Sequence, residues 1–589
     1  MIEDIINICS KKHIKYLIFL LFGMIIAAFI EMVGLSSIPM FVMVIIDVDI
    51  LINKFPAFFA NNYVRNLEQN YITIFGGIFL ICIFLIKNIY LASFLFLQGK
   101  VIKIIRTDIT IKLFRMYTNA PYNFHLKNNP AILIRNITSS LNGAVITIFS
   151  SLTIMREGLI VMFIFILLFL GEPLISATVF IFLTTVTGIF LFFTKKSLTV
   201  RGQLNQLEKA NQLKTINHTL GSMRETKILN RENYMINLFI HQVNQIEKHG
   251  FYSYFISVTP RLFLELVAVF TVSIISIIFV LIKLSNEQIL PTISLLAVCS
   301  VRLIPAFNSI ISALAKRAFD RASVRIISKE FANVPVEYKS RNKNLIKEKI
   351  NRKYSFKDQI KFENVFFSHE NSNEKILQNI CLEIRQGQKV GIIGKSGAGK
   401  STLVDLILGL IKPTKGNIFV GDLNLNDNIK SWQRLIGYVP QDIYLLDDTI
   451  KNNIAFGLDV DKINQEAILR SIKLSKLDNY IGSLEQKENT IVGNRGTKVS
   501  GGEKQRIGIA RALYHDPQVL IMDEATSSLD AMTEKKLMEE IYNTTRDRTT
   551  IIITHHHKSV SNCDKIYLMD NGKIIDEGKY ADLENRHSL

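Results

Sequence analysis

At 589 residues the chain exceeds one domain, and roughly three or four domain-equivalents fit its length. Apolar residues make up 48% and crowd into residues 1–317, whereas 358–589 reads as an ordinary soluble α/β domain. The net charge of +18 raises a nucleic-acid reading, which is set aside because the basic residues fall mostly in loops between apolar segments, as the positive-inside rule expects. Cys9, Cys82, Cys299, Cys381 and Cys563 are scattered without a CxxC pair, so neither a disulfide framework nor a zinc site is expected.

Residues 2–14 read as a short amphipathic helix, with Lys11, Lys12 and Lys15 marking the cytoplasmic side. The apolar run after Lys15 is too long for a cleavable signal and ends at no small-residue site. Six apolar segments follow, at about 16–46, 72–97, 138–170, 173–194, 251–283 and 288–315. Several exceed the ~20 residues that span a bilayer, so tilt or projection beyond it is expected. Residues 98–136 and 195–250 are rich in Lys and Arg, which places both loops in the cytoplasm, while the Gly171-Glu172-Pro173 turn lies outside. Both loops carry helical periodicity, so helices should continue the spans below the membrane. Their tips, near Pro121–Phe124 and Lys209–Gln212, would meet a cytoplasmic motor. On the outer side, residues 49–67 put Leu51, Ile52, Phe55, Phe58, Phe59 and Tyr63 on one helical face, for the interface or for packing.

Lys87, Arg156, Arg261 and Arg302 fall inside the apolar segments, with Glu31, Glu157 and Glu265. A charge at mid-bilayer costs about 2.5–3.5 kcal/mol on insertion scales, so each needs a partner or a task. Arg261 and Glu265 have helical i, i+4 spacing and can pair. Arg156 and Glu157 are adjacent and should diverge, and Lys87 and Arg302 have no local acid. A rise of ~1.5 Å per residue puts Lys87, Arg261 and Arg302 in one middle-to-inner layer. Pro260 and Pro305 stand beside two of them, where a kink could open the helix. Such a layer suits an anionic head group such as a phosphate or pyrophosphate; the alternative is interhelical ion pairing with the three glutamates.

After a basic linker at about 318–357, the strand Ile360–Phe367 opens the soluble half. The apolar run Lys389–Ile393 then leads into Gly394, Lys395, Ser396, Gly397, Ala398, Gly399, Lys400, Ser401 and Thr402. That is strand, glycine loop and helix with the G-x-x-x-x-G-K-S spacing of a phosphate-binding loop. Glycines let backbone N–H groups curl around a phosphate at a helix N-terminus, Lys400 can reach the β/γ-phosphates, and the Ser401 hydroxyl can hold Mg²⁺. Downstream, Gly437-Tyr-Val-Pro-Gln441 ends a strand at a glutamine that can reach Mg²⁺ and the attacking water. Ser500, Gly501, Gly502 and Glu503 precede a helix and make a second anion site. Val519–Met522 is an apolar strand ending in Asp523, a Mg²⁺ ligand, and Glu524, placed to polarise the hydrolytic water. Asp530 follows, and the strand Thr549–Ile553 ends at Thr554 and His555, where the imidazole can touch a γ-phosphate.

In order and spacing, these stretches resemble the Walker A, Q-loop, signature, Walker B, D-loop and H-loop of an ATP-binding cassette. The resemblance covers about 360–589, and the six spans before it are similar to those of an ABC exporter half-transporter. It implies an α-helical membrane domain (1–317) of six transmembrane helices with long cytoplasmic extensions, a linker (318–357), and an α/β P-loop cassette (358–589), in the type IV exporter architecture. It also implies an ATP- and Mg²⁺-dependent ATPase that is a homodimer, since the signature of one copy closes over the Walker A site of the other. Three positions depart from the family: V-S-G-G-E replaces L-S-G-G-Q, His369 stands where an adenine-stacking tyrosine is usual, and Asn494 stands where exporters carry glutamate. Within exporters, Phe29-Ile-Glu31, Lys87, Pro260-Arg261-Leu-Phe-Leu-Glu265 and Arg302-Leu-Ile-Pro305 are similar to bacterial PglK-type flippases. That resemblance implies a polyprenyl-pyrophosphate glycan as cargo, its pyrophosphate meeting Lys87, Arg261 and Arg302, and a bacterial inner membrane with the ATPase in the cytoplasm. Other amphipathic cargo (lipid A, a drug or a peptide) is the alternative. A non-pumping ATP-gated channel or regulator is opposed by intact Glu524 and His555.

Overall fold

The computed structural model describes residues 2–46, 69–171, 173–281, 286–333, 356, 358–368, 375–427, 429–525, 538–539, 542 and 548–587. The outer segment 49–67, most of the linker, Glu172, His369 and Asp530 lie outside the described residues. By its internal contacts the chain forms two units, residues 1–120 with 124–346 and residues 121–123 with 347–589.

The described elements of the first unit are helices. α1 (Ile2–Ile8) ends sooner than the reading of 2–14, because the chain breaks at Cys9-Ser10 and restarts as α2 (Lys11–Ile46). α3 (Gln69–Thr118) follows, then α4 (Tyr122–Lys127), α5 (Pro130–Arg135) and a π-turn at Asn136–Ser140 that runs into α6 (Leu141–Gly171). α7 (Pro173–Gly221), α8 (Met223–Ile228), α9 (Glu232–Val258), α10 (Pro260–Leu281), α11 (Asn286–Phe319) and α12 (Arg321–Asn333) complete the series.

Among the described residues, five helices are long and apolar enough to cross a membrane: Lys11–Ile45, Asn70–Thr118, Pro130–Leu170, Phe180–Gly221 and Ala297–Phe319. The apolar stretch 251–283 divides between α9 and α10, and α10 adds 22 residues. The division falls at Pro260, which lacks the N–H that a continued helix needs and suits a helix start instead. Pro305 has no such effect, because α11 runs through it. The 50 residues of α3 rise roughly 75 Å, far beyond a ~30 Å hydrocarbon core.

The core of this unit lies where α6 packs along α11 and α2. Ala28, Ile160, Ile164, Leu303 and Ala306 are fully buried there. A second cluster, with Ile105, Ile109, Leu113, Leu141 and Ile327, ties α3, α6 and α12 together. α7 approaches α11 closely at Gly202, where an added Cβ would run into the Phe319 carbonyl. Outward faces are apolar as well: Phe75, Phe79, Ile81 and Ile86 of α3 each expose more than 60% of their surface. A continuous apolar face of that kind marks a lipid or protein contact, not a water-facing surface.

The second unit holds two sheets. The antiparallel sheet has the order β2-β1-β4-β5, from β1 (Gln359–Phe367), β2 (Leu377–Arg385), β4 (Lys415–Val420) and β5 (Leu423–Asn424). The six-stranded sheet has the order β10-β9-β3-β8-β7-β6. Its strands are β3 (Lys389–Gly394), β6 (Ile436–Val439), β7 (Val519–Asp523), β8 (Thr549–Thr554), β9 (Lys565–Asp570) and β10 (Lys573–Gly578). β6, β7, β8, β3 and β9 are parallel, and β7 and β8 are buried at every position, as a sheet covered on both faces requires. In register, Ile393 pairs with Thr554, Asp523 with Ile553 and Val439 with Met522. The carboxyl ends of four strands therefore meet at one edge, where ligands bind in open parallel sheets.

Candidate active site

The loop after β3 opens that edge, and α13 (Lys400–Ile407) begins from Gly399 at φ 94°. No side chain suits this position: the backbone is left-handed, and an added Cβ would stand 2.8 Å from Leu377 Cδ2. Lys395, Ser396, Gly397 and Ser401 are exposed, Thr402 is half-buried, and Ala398 and Lys400 are buried. The Lys400 ammonium donates to the Gly394 carbonyl at 2.7 Å and to the Lys395 carbonyl at 3.0 Å, bracing the loop. Burial lowers the Lys400 pKa, against the opposing charges of Glu524 and Asp523.

Asp523 closes β7 and is 8% exposed. Burial raises its pKa, the Glu524 charge adds to that, and the Tyr438 hydroxyl, 3.5 Å from Oδ2, and Lys400 oppose it. Glu524 would point to the opposite side in a continued strand, but it takes φ 47° and turns the chain out of the strand, its N–H still donating to the Ile553 carbonyl at 2.8 Å. Its carboxylate accepts from Gln441 Nε2 at 2.6 Å and pairs with His555 Nδ1 at 3.2 Å. Residues at the ends of β6, β7 and β8 are thus brought onto one carboxylate. The acids concentrate negative charge about one lysine, and Asp523, Ser401 and Gln441 offer the oxygen donors that suit a hard divalent cation.

Ser500 caps α14 (Gly501–Leu513) in a reciprocal box: Glu503 N–H donates to Ser500 Oγ at 3.3 Å, and Ser500 N–H donates to Glu503 Oε2 at 2.8 Å. The Glu503 carboxylate is therefore occupied in holding the turn. Among the described residues, no hydrogen bond or ion pair joins Ser500, Gly501, Gly502 or Glu503 to the phosphate loop of the same chain. Asn494 is exposed on a single turn, Asn494–Gly496, in which Arg495 takes φ 53°. Sequence reasoning missed Asp405, a half-buried residue of α13. Burial and then the Asp523 charge push its carboxyl up to about 6. The available signal was an acid among the apolar residues that follow Lys400.

In the first unit the buried charges pair through tertiary contacts. Lys87 Nζ donates to Glu31 Oε1 at 3.2 Å, and Arg302 Nε donates to the same oxygen at 2.8 Å. Arg302 also reaches Glu157 Oε2 at 3.3 Å. The expected divergence of Arg156 and Glu157 is overturned: the guanidinium folds back onto Glu157 Oε1 at 2.8 Å and reaches Gln98 Oε1 at 3.3 Å. An arginine side chain is long enough to span that offset. Arg261 does not join this cluster. It pairs with Glu265 at 2.7 Å on a face of α10 where its side chain is 65% exposed. Lys87, Arg156 and Arg302 face two carboxylates, Glu31 and Glu157, which leaves one surplus positive charge, while Glu31 Oε2 is buried without a hydrogen-bond partner.

Residues 377–527 match the family described as ABC transporter. An ATP-dependent lipid A-core flippase of Wigglesworthia glossinidia brevipalpis is 30% identical over 496 residues, covering 82% of this chain and 81% of that protein. The leukotoxin export ATP-binding protein LtxB of Aggregatibacter actinomycetemcomitans is 41% identical over 228 residues, 38% of this chain and 32% of that protein. The solved structure of a bacterial Atm1-family ABC exporter with ATP bound has a TM-score of 0.75, 20% identity and 97% coverage of both chains, a likeness of fold.

Proposed function

The chain belongs to the ABC transporters as an exporter half-transporter, a membrane ATPase coupled to transport, and on that premise we propose that it flips a polyprenyl-pyrophosphate-linked oligosaccharide across the membrane. Half-transporters of this family work as dimers, and here two copies of this chain would form the pair.

The motor reading is carried by Glu524, held between Gln441 and His555. Backbone N–H groups from Gly394 to Ser401 wrap the ATP phosphates, and Lys400 exchanges its two loop carbonyls for phosphate oxygens. Ser401, Asp523 and Gln441 would hold Mg²⁺, which would supply charge neutralisation for phosphoryl transfer. Glu524 takes the proton of the attacking water, and His555 contacts the γ-phosphate. His369 stacks on adenine. Ser500, Gly501, Gly502 and Asp530 of the second copy close the site, with Glu503 as the cap that shapes their turn.

The cargo reading rests on the buried Lys87–Glu31–Arg302–Glu157–Arg156 cluster, whose surplus positive charge favours an anionic head group in the membrane interior. Arg261 contributes from an exposed face, and the short membrane motifs similar to PglK-type flippases support a pyrophosphate. A second reading, lipid A core as cargo, is favoured by the similarity to a lipid A-core flippase over 82% of this chain. Both readings set the protein in a bacterial inner membrane with its ATPase in the cytoplasm.

The test is a flipping assay in liposomes, with lipid-linked oligosaccharide or lipid A core in the leaflet facing the ATPase. Oligosaccharide should become accessible on the far side with ATP, and Glu524→Gln should abolish this while ATP still binds. Movement of lipid A core alone would replace the cargo assignment. Near-wild-type hydrolysis in Glu524→Gln would remove Glu524 as the base.

A further inference from the structure

A groove of about 590 Å³ runs between the middle of α7 and the C-terminal end of α11, apart from the buried charge cluster. Leu191, Phe192 and Leu314 form its apolar wall, and Lys195, Arg317 and Arg321 supply its charge. No carboxylate is among the residues that line it. From Pro173 to Lys195, α7 rises about 33 Å, one hydrocarbon thickness, which brings Lys195 to the inner head-group level. Arg317 lies in the last turn of α11. Its Nε is buried with no hydrogen-bond partner, a costly state for a guanidinium N–H. The adjacent Asp320 does not relieve it, since that carboxylate turns toward α6, 2.8 Å from where a Cβ on Gly143 would stand. Phe192 is 79% exposed at the mouth, placed to touch an acyl chain.

We propose that this groove is a resident site for an anionic glycerophospholipid of the cytoplasmic leaflet, its phosphate held by Arg317 with Lys195 and Arg321 and an acyl chain laid along Leu191, Phe192 and Leu314. Turned into the groove, the Arg317 guanidinium gains from a phosphodiester the acceptor that its Nε lacks, and its planar N–H donors fit two oxygens side by side. The apolar wall adds affinity that a free anion cannot gain.

Purified full-length protein in detergent micelles would be titrated with fluorescent phosphatidylglycerol, with phosphatidylcholine and inorganic phosphate as competitors. Saturable binding, one lipid per chain, is expected, with weak competition from both. Arg317→Gln should weaken binding roughly ten- to hundred-fold, the worth of one or two charge-assisted hydrogen bonds. Gly188→Phe tests the acyl slot separately. An added Cβ there meets nothing within 4 Å, so the ring can enter the groove without moving the backbone. This variant should lose phosphatidylglycerol while keeping the wild-type melting temperature. Unchanged affinity in both variants, or phosphatidylcholine binding equally well, would overturn the proposal. Inorganic phosphate competing as well as the lipid would overturn it in favour of a free-anion site.

Discussion

Asp320, between α11 and α12, shows how one residue couples this fold to pH. Burial pushes its carboxyl up to about 7, against the charges of Lys209 and Lys316. A carboxyl raised on folding keeps its proton where the unfolded chain has released it, so stability is fully present below the unfolded value and falls as pH rises toward about 7. Asp320→Asn removes that loss. Melting curves in lipid nanodiscs should show the variant gaining on wild type at about pH 8 and hardly at all at about pH 4. An equal difference at both pH values would mean that Asp320 ionises freely in the folded protein. Neither Asp320 nor Asp405 stood out in the sequence, because an acid beside a helix end or on a helix looks solvated until the packing around it is known. Glu524 was legible as a second carboxylate after an apolar strand. Its left-handed φ of 47°, which aims it at Gln441 and His555, was not.

Between elements, the charges inside the membrane helices sort by burial. Glu31 of α2 serves Lys87 of α3 and Arg302 of α11, and it is 3% exposed. Removing the shared acid from such a buried group leaves Lys87 without a carboxylate and Arg302 with Glu157 alone, and breaking a buried pair costs about 3–5 kcal/mol. The exposed i, i+4 pair of Arg261 and Glu265 should be worth under about 1 kcal/mol. Thermal unfolding of Glu31→Gln and Arg261→Gln should therefore differ strongly, with Glu31→Gln far less stable. Equal losses would mean that the pairing across α2, α3 and α11 carries little stability. Helix periodicity located each charge along its own helix but carried no information about which helix faces it. Lys87 and Arg302 lacked an acid within their own segments, and Glu31, 56 residues from Lys87 in the chain, supplied it.

For the whole molecule, the phosphate loop and the signature turn are each present once and are not joined within the chain among the described residues. If a second copy completes each site, Lys400→Ala and Gly501→Asp should each abolish ATP hydrolysis alone. Co-expressed, they should recover part of it, because mixed dimers hold one intact composite site. No recovery in verified mixed dimers would place the whole site in one chain. The sequence by itself determined the phosphate loop, the two acids after β7, the ending histidine and the long apolar helices. Each of these is written in contiguous residues whose local geometry follows from glycine freedom, strand burial or helical period. The tertiary structure alone decided that β8 lies between β3 and β7, which gathers Gln441, Glu524 and His555 at one edge. It also decided that three membrane cations share two carboxylates while Arg261 stands apart. Strand order and helix neighbours arise from burying apolar faces against one another across long separations, and no local spacing in the chain encodes that choice.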